Sequence, residues 1–423
     1  MGFLDDVTVE QLDADPYPVY ARMRAEQPVG FVPCVDTWFV TRHADVTRVA
    51  ERVEQFTAES LTQTPVERSF GTPTIITVDG PVHAELRRSF DTSFRPKRVE
   101  SYVDALVRPI AEQYLADVEA TCRAVAPGAA PAGGVVELMA GYLEPISTRS
   151  LAVVLGLGDV DMPTLRRWFH GLSLGATNYE RDPGKQAVAD ATAAEIDEVV
   201  VPQLERLRRE PDDSTMSHML HAGASKPRPV EFVLPSLKVA ILGGMQEPGH
   251  GAGTVLAALL DPANATQLAA VRAELADGGN SLVVAAVEEG VRWVAPIGTQ
   301  LRTAVRDVDL GGVTIPAGAP VAAVLASANR DASVFPDPDT FDLYRHVRTV
   351  DQGVRDQSKG QAGYGFGKHF CSGHSFARHQ MRIAVEVLLQ AHPTLALAGT
   401  GAVRFQGWEF RAPAELDVVL TGP

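Results

Sequence analysis

Cysteine is scarce. The 423 residues hold three, Cys34, Cys122 and Cys371, too few and too scattered for a disulfide framework. A reducing cytoplasm is the expected compartment. Basic residues are outnumbered, 38 Lys and Arg against 53 Asp and Glu, and the net charge of −15 argues against nucleic acid and anionic membrane surfaces. No stretch approaches the apolar length that spans a bilayer. The opening Met1-Gly2-Phe3-Leu4-Asp5-Asp6 lacks a basic run and lacks Ser or Thr at position six, so neither a signal peptide nor myristoylation is expected. Internal repeats, a paired-cysteine zinc pattern, a phosphate loop and a nucleophile–His–Asp constellation are also missing. With 22% charged residues, the chain reads as a soluble globular protein. Its length allows two or three domains or one large one.

Against that background one run stands out. Tyr364 to Arg378 reads Y-G-F-G-K-H-F-C-S-G-H-S-F-A-R. Gly365, Gly367 and Gly373 permit tight turns or close approach to something flat. Beyond Gly373, the residues Phe376, Ala377, Met381, Ile383, Ala384, Val387 and Leu388 recur at helical spacing. Cys371 therefore sits at or just before a helix N-terminus, where free N–H groups and the dipole favour a thiolate. An anionic sulfur in such a loop suits a soft metal centre; an isolated cysteine would more often be a small buried hydrophobe.

In chain order, Asp15-Pro16-Tyr17 leads into a helix with Val19 and Met23 as inner contacts and Leu12 just ahead of it. Phe31 to Val40 reads as strand, carrying Val32, Trp38 and Phe39. His83 and Arg87, four apart, share one helix face and suit a pair of carboxylates, or else form a solvated basic patch. Arg123 to Gly134 is a Pro/Gly/Ala surface loop. Helical spacing resumes over Leu138 to Gly156, Leu165 to Leu174 and Ala187 to Leu207. Pro235 to Leu260 is the longest apolar helical candidate and should cross the core. It is interrupted by Gly243-Gly244 and Pro248-Gly249, which weaken a helix and remove a donor. Glu289 and Arg292 share one helix face, either as a surface ion pair or as a buried one.

The cysteine run resembles the haem-thiolate signature of the cytochrome P-450 family, with Tyr364 and Phe376 as its departures. The resemblance implies a mainly α fold, a helical prism with a small β-rich lobe near the N-terminus, formed by residues 1–423 as one unit. It implies haem b, with Cys371 as the axial iron ligand and His83, Arg87, Arg302 and His369 binding the propionates. Asp79-Gly80-Pro81 ahead of His83 fits that pattern. Glu289 and Arg292 become a buried pair completed by Arg345. Gly243 and Gly244 make room for dioxygen. The family's usual acid–alcohol pair is replaced here by Gln246 and Glu247, which organise protons or water, or mark a structural kink alone. Thiolate ligation favours O–O cleavage and attack on a C–H bond. Electrons would come from NAD(P)H through a separate flavin or iron–sulfur reductase. Lys368, Arg382 and the run Arg345 to Lys359 offer that partner a basic patch, or else are a solvated loop.

A closer resemblance is to bacterial guaiacol and alkylguaiacol O-demethylases. It rests on F-L-D-D-V-T-V-E-Q-L-D-A-D-P-Y, L-V-R-P-I-A-E-Q-Y-L, L-G-G-M-Q-E-P-G-H-G and F-Q-G-W-E-F-R. Departures are a longer loop over Arg345 to Gly363 and the longer Pro/Gly/Ala loop. It implies a small aromatic ether as substrate, clamped by Phe70 and Phe410, with Ala176 where a third ring would stand, and Val239, Leu242, Gly243 and Ile297 as the apolar wall. A ring replaced by a methyl leaves room for a 4-alkyl chain. The alternatives are hydroxylation of a terpenoid, fatty acid or polyketide, and a haem sensor or carrier without turnover.

Overall fold

The computed structural model describes residues 2–61, 63–125, 134–351 and 360–420. Local signals set many helix starts. Thr8 with Gln11, and Thr64 with Glu67, form reciprocal caps on Val9–Ala14 and Pro65–Phe70. Asp161 and Asp182 cap Met162–Ala176 and Pro183–Leu207, each with proline in the first turn. Helices dominate, and their apolar faces merge in one large cluster that includes Leu86, Tyr142, Trp168, Leu256 and Leu388.

The β-rich lobe is a five-stranded sheet in the order Val29–Val32, Thr37–Val40, Pro320–Val324, Thr299–Ala304, Phe56–Thr57. Trp38 lies opposite Val321 in its parallel pair, and Arg302 opposite Val321 in the antiparallel one. Two of the five strands thus come from beyond residue 298. The single strand expected over Phe31 to Val40 is two. The chain reverses through Pro33–Val35, and Asp36 takes a left-handed φ of 49° that lets the second strand fold back. In the opening segment Leu12 and Met23 are buried with Tyr20, and Val19 packs against them, half-buried.

The stretch from Leu138 to Gly156 is helical as expected, with a wider π-helical segment, Met139–Leu143, leading into the helix Glu144–Leu155. Arg123 to Val125 continue the helix Pro96–Val125 rather than opening a loop, and Gly134 starts the strand Gly134–Glu137; the loop expectation otherwise falls on 126–133, outside the described residues. Tyr344–Asp351 is helical. The rest of the long loop, 352–359, lies outside them too.

The central apolar helix is divided. Val230–Met245 and Glu247–Leu260 meet at Gln246, whose φ and ψ of −90° and −58° stay in the helical region. Pro248 lacks an N–H, so the carbonyl four residues earlier, at Gly244, loses its helical donor. The Met245 carbonyl accepts from Ser147 Oγ at 2.6 Å. The glycine pair expected to interrupt the helix lies inside its first half. A Cβ at Gly244 would strike Leu151, so this glycine serves close packing against Glu144–Leu155 rather than space for a ligand. Gly243 fronts open space, with only Glu247 Oε2 near its Cβ position, at 3.7 Å.

Candidate active site

Cys371 stands three residues ahead of the helix His374–Ala391. Its loop is held by the protein's own bonds. Cys371 N–H donates to the Tyr364 carbonyl at 2.9 Å, and Arg87 Nη1 donates to the Lys368 and Phe370 carbonyls at 3.3 and 2.7 Å. Gly365 and Gly367 have φ of 71° and 68°, a region that a side chain would strain. Burial raises the Cys371 thiol, although the Gly373 N–H lowers it. The helix end alone therefore does not secure the expected thiolate. An anionic sulfur here requires a cation, and a bound metal deprotonates a coordinating thiol outright.

Above the loop, Gly80–Phe94 carries His83, buried, with its ring 4.1 Å from that of His369. Arg302 projects from Thr299–Ala304 and is buried as well. Asp79 is the acid recorded in this group. It accepts from His369 Nε2 at 2.9 Å, and from Thr57 Oγ1 and Ala58 N–H at 2.7 Å each. Burial opposes the Asp79 charge, but those bonds hold its carboxylate well below the usual range. Burial, with the charges of His369 and Arg87, lowers His83 to about 4, and burial pulls Arg302 down to about 10. His83 Nε2, His369 Nδ1, and Arg302 Nε and Nη2 are buried without a hydrogen-bond partner. Buried orphan donors are costly. Two imidazoles and the Arg302 guanidinium, crowded together with unpaired nitrogens, fit the two carboxylates of a haem.

Arg87, one turn from His83, pairs with Asp91 through Nε at 3.0 Å and holds the cysteine loop through Nη1. Arg382 departs from the expected basic patch. It is buried, bonded to Glu386 at 2.7 Å and Asp104 at 3.0 Å, so its charge is neutralised. Lys368 is exposed beside the loop.

Glu289 and Arg292 are fully buried and joined by two bonds of 2.8 and 2.6 Å. Arg345 reaches Glu289 at 3.4 Å, and His346, which sequence reasoning missed, at 2.9 Å. Arg292 also donates to the carbonyls of Asn329, Pro338 and Thr340. Burial opposes the Glu289 charge, yet Arg292 and His346 bring its carboxyl down to about 2. An unfolded Glu titrates near 4.5. Its stabilising contribution is therefore full above that value and is lost as pH falls from about 4.5 toward 2. Acid titration followed by circular dichroism should show stability declining through that window. Glu289→Gln, if it folds, should flatten the decline.

Most of the expected substrate-wall residues lie in or against the main apolar cluster. Phe70, Ala176 and Leu242 are buried members of the main cluster, with Val239 and Phe410 packed against it. A Cβ at Gly175 would strike Ser69, so the helices bearing Ala176 and Phe70 are in close contact. Ile75 N–H donates to Ser236 Oγ at 2.9 Å, tying the segment after Phe70 to the helix of Val239 and Leu242. Ile297 bridges to Phe410.

Glu247 and His250 are buried, and no partner is recorded for either Glu247 oxygen or for His250 Nδ1. Burial pushes Glu247 up to about 8, and burial with the charge of His170 pulls His250 down to about 3. Burial thus favours the neutral form of both side chains. The signal for His250 lay in the same Q-E-P-G-H segment and went unread.

Known proteins resemble this chain over nearly its full length. A family profile described as Cytochrome P-450 matches residues 281–400, the segment that carries Glu289, Arg292, Arg345 and Cys371. The vitamin D(3) 25-hydroxylase of Pseudonocardia autotrophica is 30% identical over 394 residues, 91% of this chain and 88% of that one. The mycinamicin IV hydroxylase/epoxidase of Micromonospora griseorubida is 30% identical, covering 95% and 94%. The solved structure of CYP109Q5 from Chondromyces apiculatus superposes with a TM-score of 0.79 at 26% identity, over 98% of this chain and 97% of that one. Such coverage at that identity makes this chain a member of the cytochrome P-450 family. It is a monooxygenase using haem b bound through a cysteine thiolate. The relatives found are enzymes, which sets aside the reading as a sensor or carrier without turnover.

Proposed function

We propose that this monooxygenase removes the O-methyl group of a methoxyphenol, guaiacol or a 4-alkylguaiacol. Haem bound through Cys371 supplies activation of dioxygen and attack on a substrate C–H bond. His83, Arg302 and His369 hold the propionates, while Arg87 steadies the cysteine loop. Phe70 and Phe410 hold the ring, and Val239, Leu242, Gly243 and Ile297 wall the groove. The hydroxylated methyl is a hemiacetal carbon, so it leaves as formaldehyde and frees a catechol. One dioxygen, two electrons and two protons are consumed, and one water is formed. NAD(P)H supplies the electrons through a separate flavin or iron–sulfur reductase, and exposed Lys368 is a contact for it. Residues 1–423 serve this one site, in the cytoplasm.

The observation that supports the reading is that the three helices bearing Phe70, Ala176 and Leu242 pack on one another. Ala176 then brings only a methyl where the resemblance calls for a third ring. A Soret titration should show a 4-alkylguaiacol binding more tightly than guaiacol. Ala176→Phe should reverse that order, by about tenfold or more. Turnover with a competent reductase should release formaldehyde and catechol in equal amounts.

A second reading is hydroxylation of a larger terpenoid, fatty acid or polyketide. The hydroxylases of vitamin D(3) and mycinamicin IV among the relatives favour it. An alcohol that retains its methoxy group, or tight binding of such a substrate alone, would decide for it.

A further inference from the structure

Glu409 stands next to Phe410 in the F-Q-G-W-E-F-R run. It is buried, and its carboxylate bridges two other elements. Tyr179 Oη donates to Glu409 Oε1 at 2.5 Å, and Thr299 Oγ1 reaches both carboxyl oxygens, at 2.8 and 2.9 Å. Burial pushes the Glu409 carboxyl up, against the pull of those bonds. Burial also raises the Tyr179 phenol well above its ordinary value, so the hydroxyl keeps the proton it donates.

These partners flank the expected substrate wall. Tyr179 lies three residues beyond Ala176, which ends the helix Met162–Ala176. Thr299 opens the strand Thr299–Ala304, two residues beyond Ile297. The segment around Glu409 lies flat on the chain that leads into this strand. Gly298 N–H donates to the Glu409 carbonyl at 2.8 Å, and Arg411 N–H to the Pro296 carbonyl at 3.0 Å. A Cβ at Gly298 would strike the Trp408 carbonyl, so this close approach needs glycine. Backbone bonds therefore fix Phe410 against Ile297. Toward Ala176 the hold is made by side chains: the Tyr179–Glu409 bond, and the Tyr179 ring at 5.2 Å from that of Trp408.

We propose that Glu409 is a positioning residue: by bonding Tyr179 it sets the gap between Phe410 and the end of the helix that carries Ala176, and so the width of the slot that receives an aromatic ring. The proposal rests on Phe410 and Ala176 facing the substrate, as in the demethylase reading. Glu409 acts through its neighbour Phe410 and through the turn after Ala176. With the tie made, the slot exists before a ligand arrives, and no binding energy is spent on ordering it. Without the tie, the turn after Ala176 moves independently of Phe410. Only a fraction of the molecules then present the slot, and the apparent affinity for a ring falls by that fraction.

The test uses two ligands of haem iron that need no turnover, imidazole and 4-phenylimidazole, titrated into the haem-loaded protein and followed in the Soret band. In Tyr179→Phe, which removes one hydroxyl, 4-phenylimidazole should bind about tenfold more weakly, the loss for a slot formed in a tenth of the molecules. Imidazole, which carries no phenyl group to be clamped, should bind as in the parent. Glu409→Leu should match Tyr179→Phe. Glu409→Gln keeps an oxygen for the Tyr179 hydroxyl and should restore most of the loss. Adding Tyr179→Phe to Glu409→Leu should cost nothing further, because the two act through one bond. Tyr179→Phe provides the test even if Glu409→Leu fails to fold. Equal weakening of both ligands in Tyr179→Phe, or no change in either, would overturn the proposal. Phe410→Ala separates it from the reading on which it rests. Weaker 4-phenylimidazole in Phe410→Ala, with no change in Tyr179→Phe, removes the tie and leaves the clamp standing. Demethylation fails separately, by turnover of a methoxyphenol without formaldehyde.

Discussion

Cys371→Ala should yield a folded protein that gives no haem-thiolate band with carbon monoxide and no turnover. The fold survives because the backbone bond from residue 371 to the Tyr364 carbonyl, at 2.9 Å, does not involve the side chain. Arg87 still holds the carbonyls of Lys368 and Phe370. The unpaired nitrogens of His83, Arg302 and His369 are likewise intact, so some haem should still bind through its carboxylates. What disappears is the sulfur that donates electron density to iron. Circular dichroism close to the parent's, with the carbon monoxide band moved to the position of nitrogen or water ligation, is the expected pair of observations. Survival of the thiolate band would mean that Cys34 or Cys122 is the ligand, and the site as described would be wrong.

Arg292→Ala should cost about 3–5 kcal/mol, because it strands the Glu289 carboxylate in the interior. That is a large part of the stability of an ordinary domain. Glu289 would keep weaker bonds from Arg345 at 3.4 Å and His346 at 2.9 Å. Three carbonyls, of Asn329, Pro338 and Thr340, would lose their donor together. Arg292→Lys keeps a charge but not the planar fork, and should fall between the two. Denaturant unfolding checks the ranking, and an unchanged midpoint in Arg292→Ala would place the energy elsewhere.

The site was legible where chemistry is local. The glycines and Cys371 lie within fifteen consecutive residues, and Glu289 and Arg292 within one turn. Partners distant in sequence were harder to see. His346 meets Glu289 across 57 residues, and nothing at either position announces the other. Arg382 was read as an exposed charge, although Glu386 stood one turn on; its neutralisation also needs Asp104, 278 residues away. The divided helix was legible from Pro248, but its position was not. A proline frees a carbonyl four residues before itself, so the ladder fails upstream, at the Gly244 carbonyl, rather than at the ring. Glycine was ambiguous for a similar reason. Both Gly243 and Gly244 permit close approach, and only the packing tells that Leu151 fills the space beside the second.

The bonds that tie the cysteine loop to Tyr364 and Arg87 also bear on the order of assembly. The sulfur's perch is built by peptide groups and one guanidinium, so little chain entropy remains to be lost when the porphyrin docks. Loading is thereby reduced to fitting a rigid disc into a finished slot, and the rate of maturation should follow the supply of the pigment rather than the folding of the polypeptide.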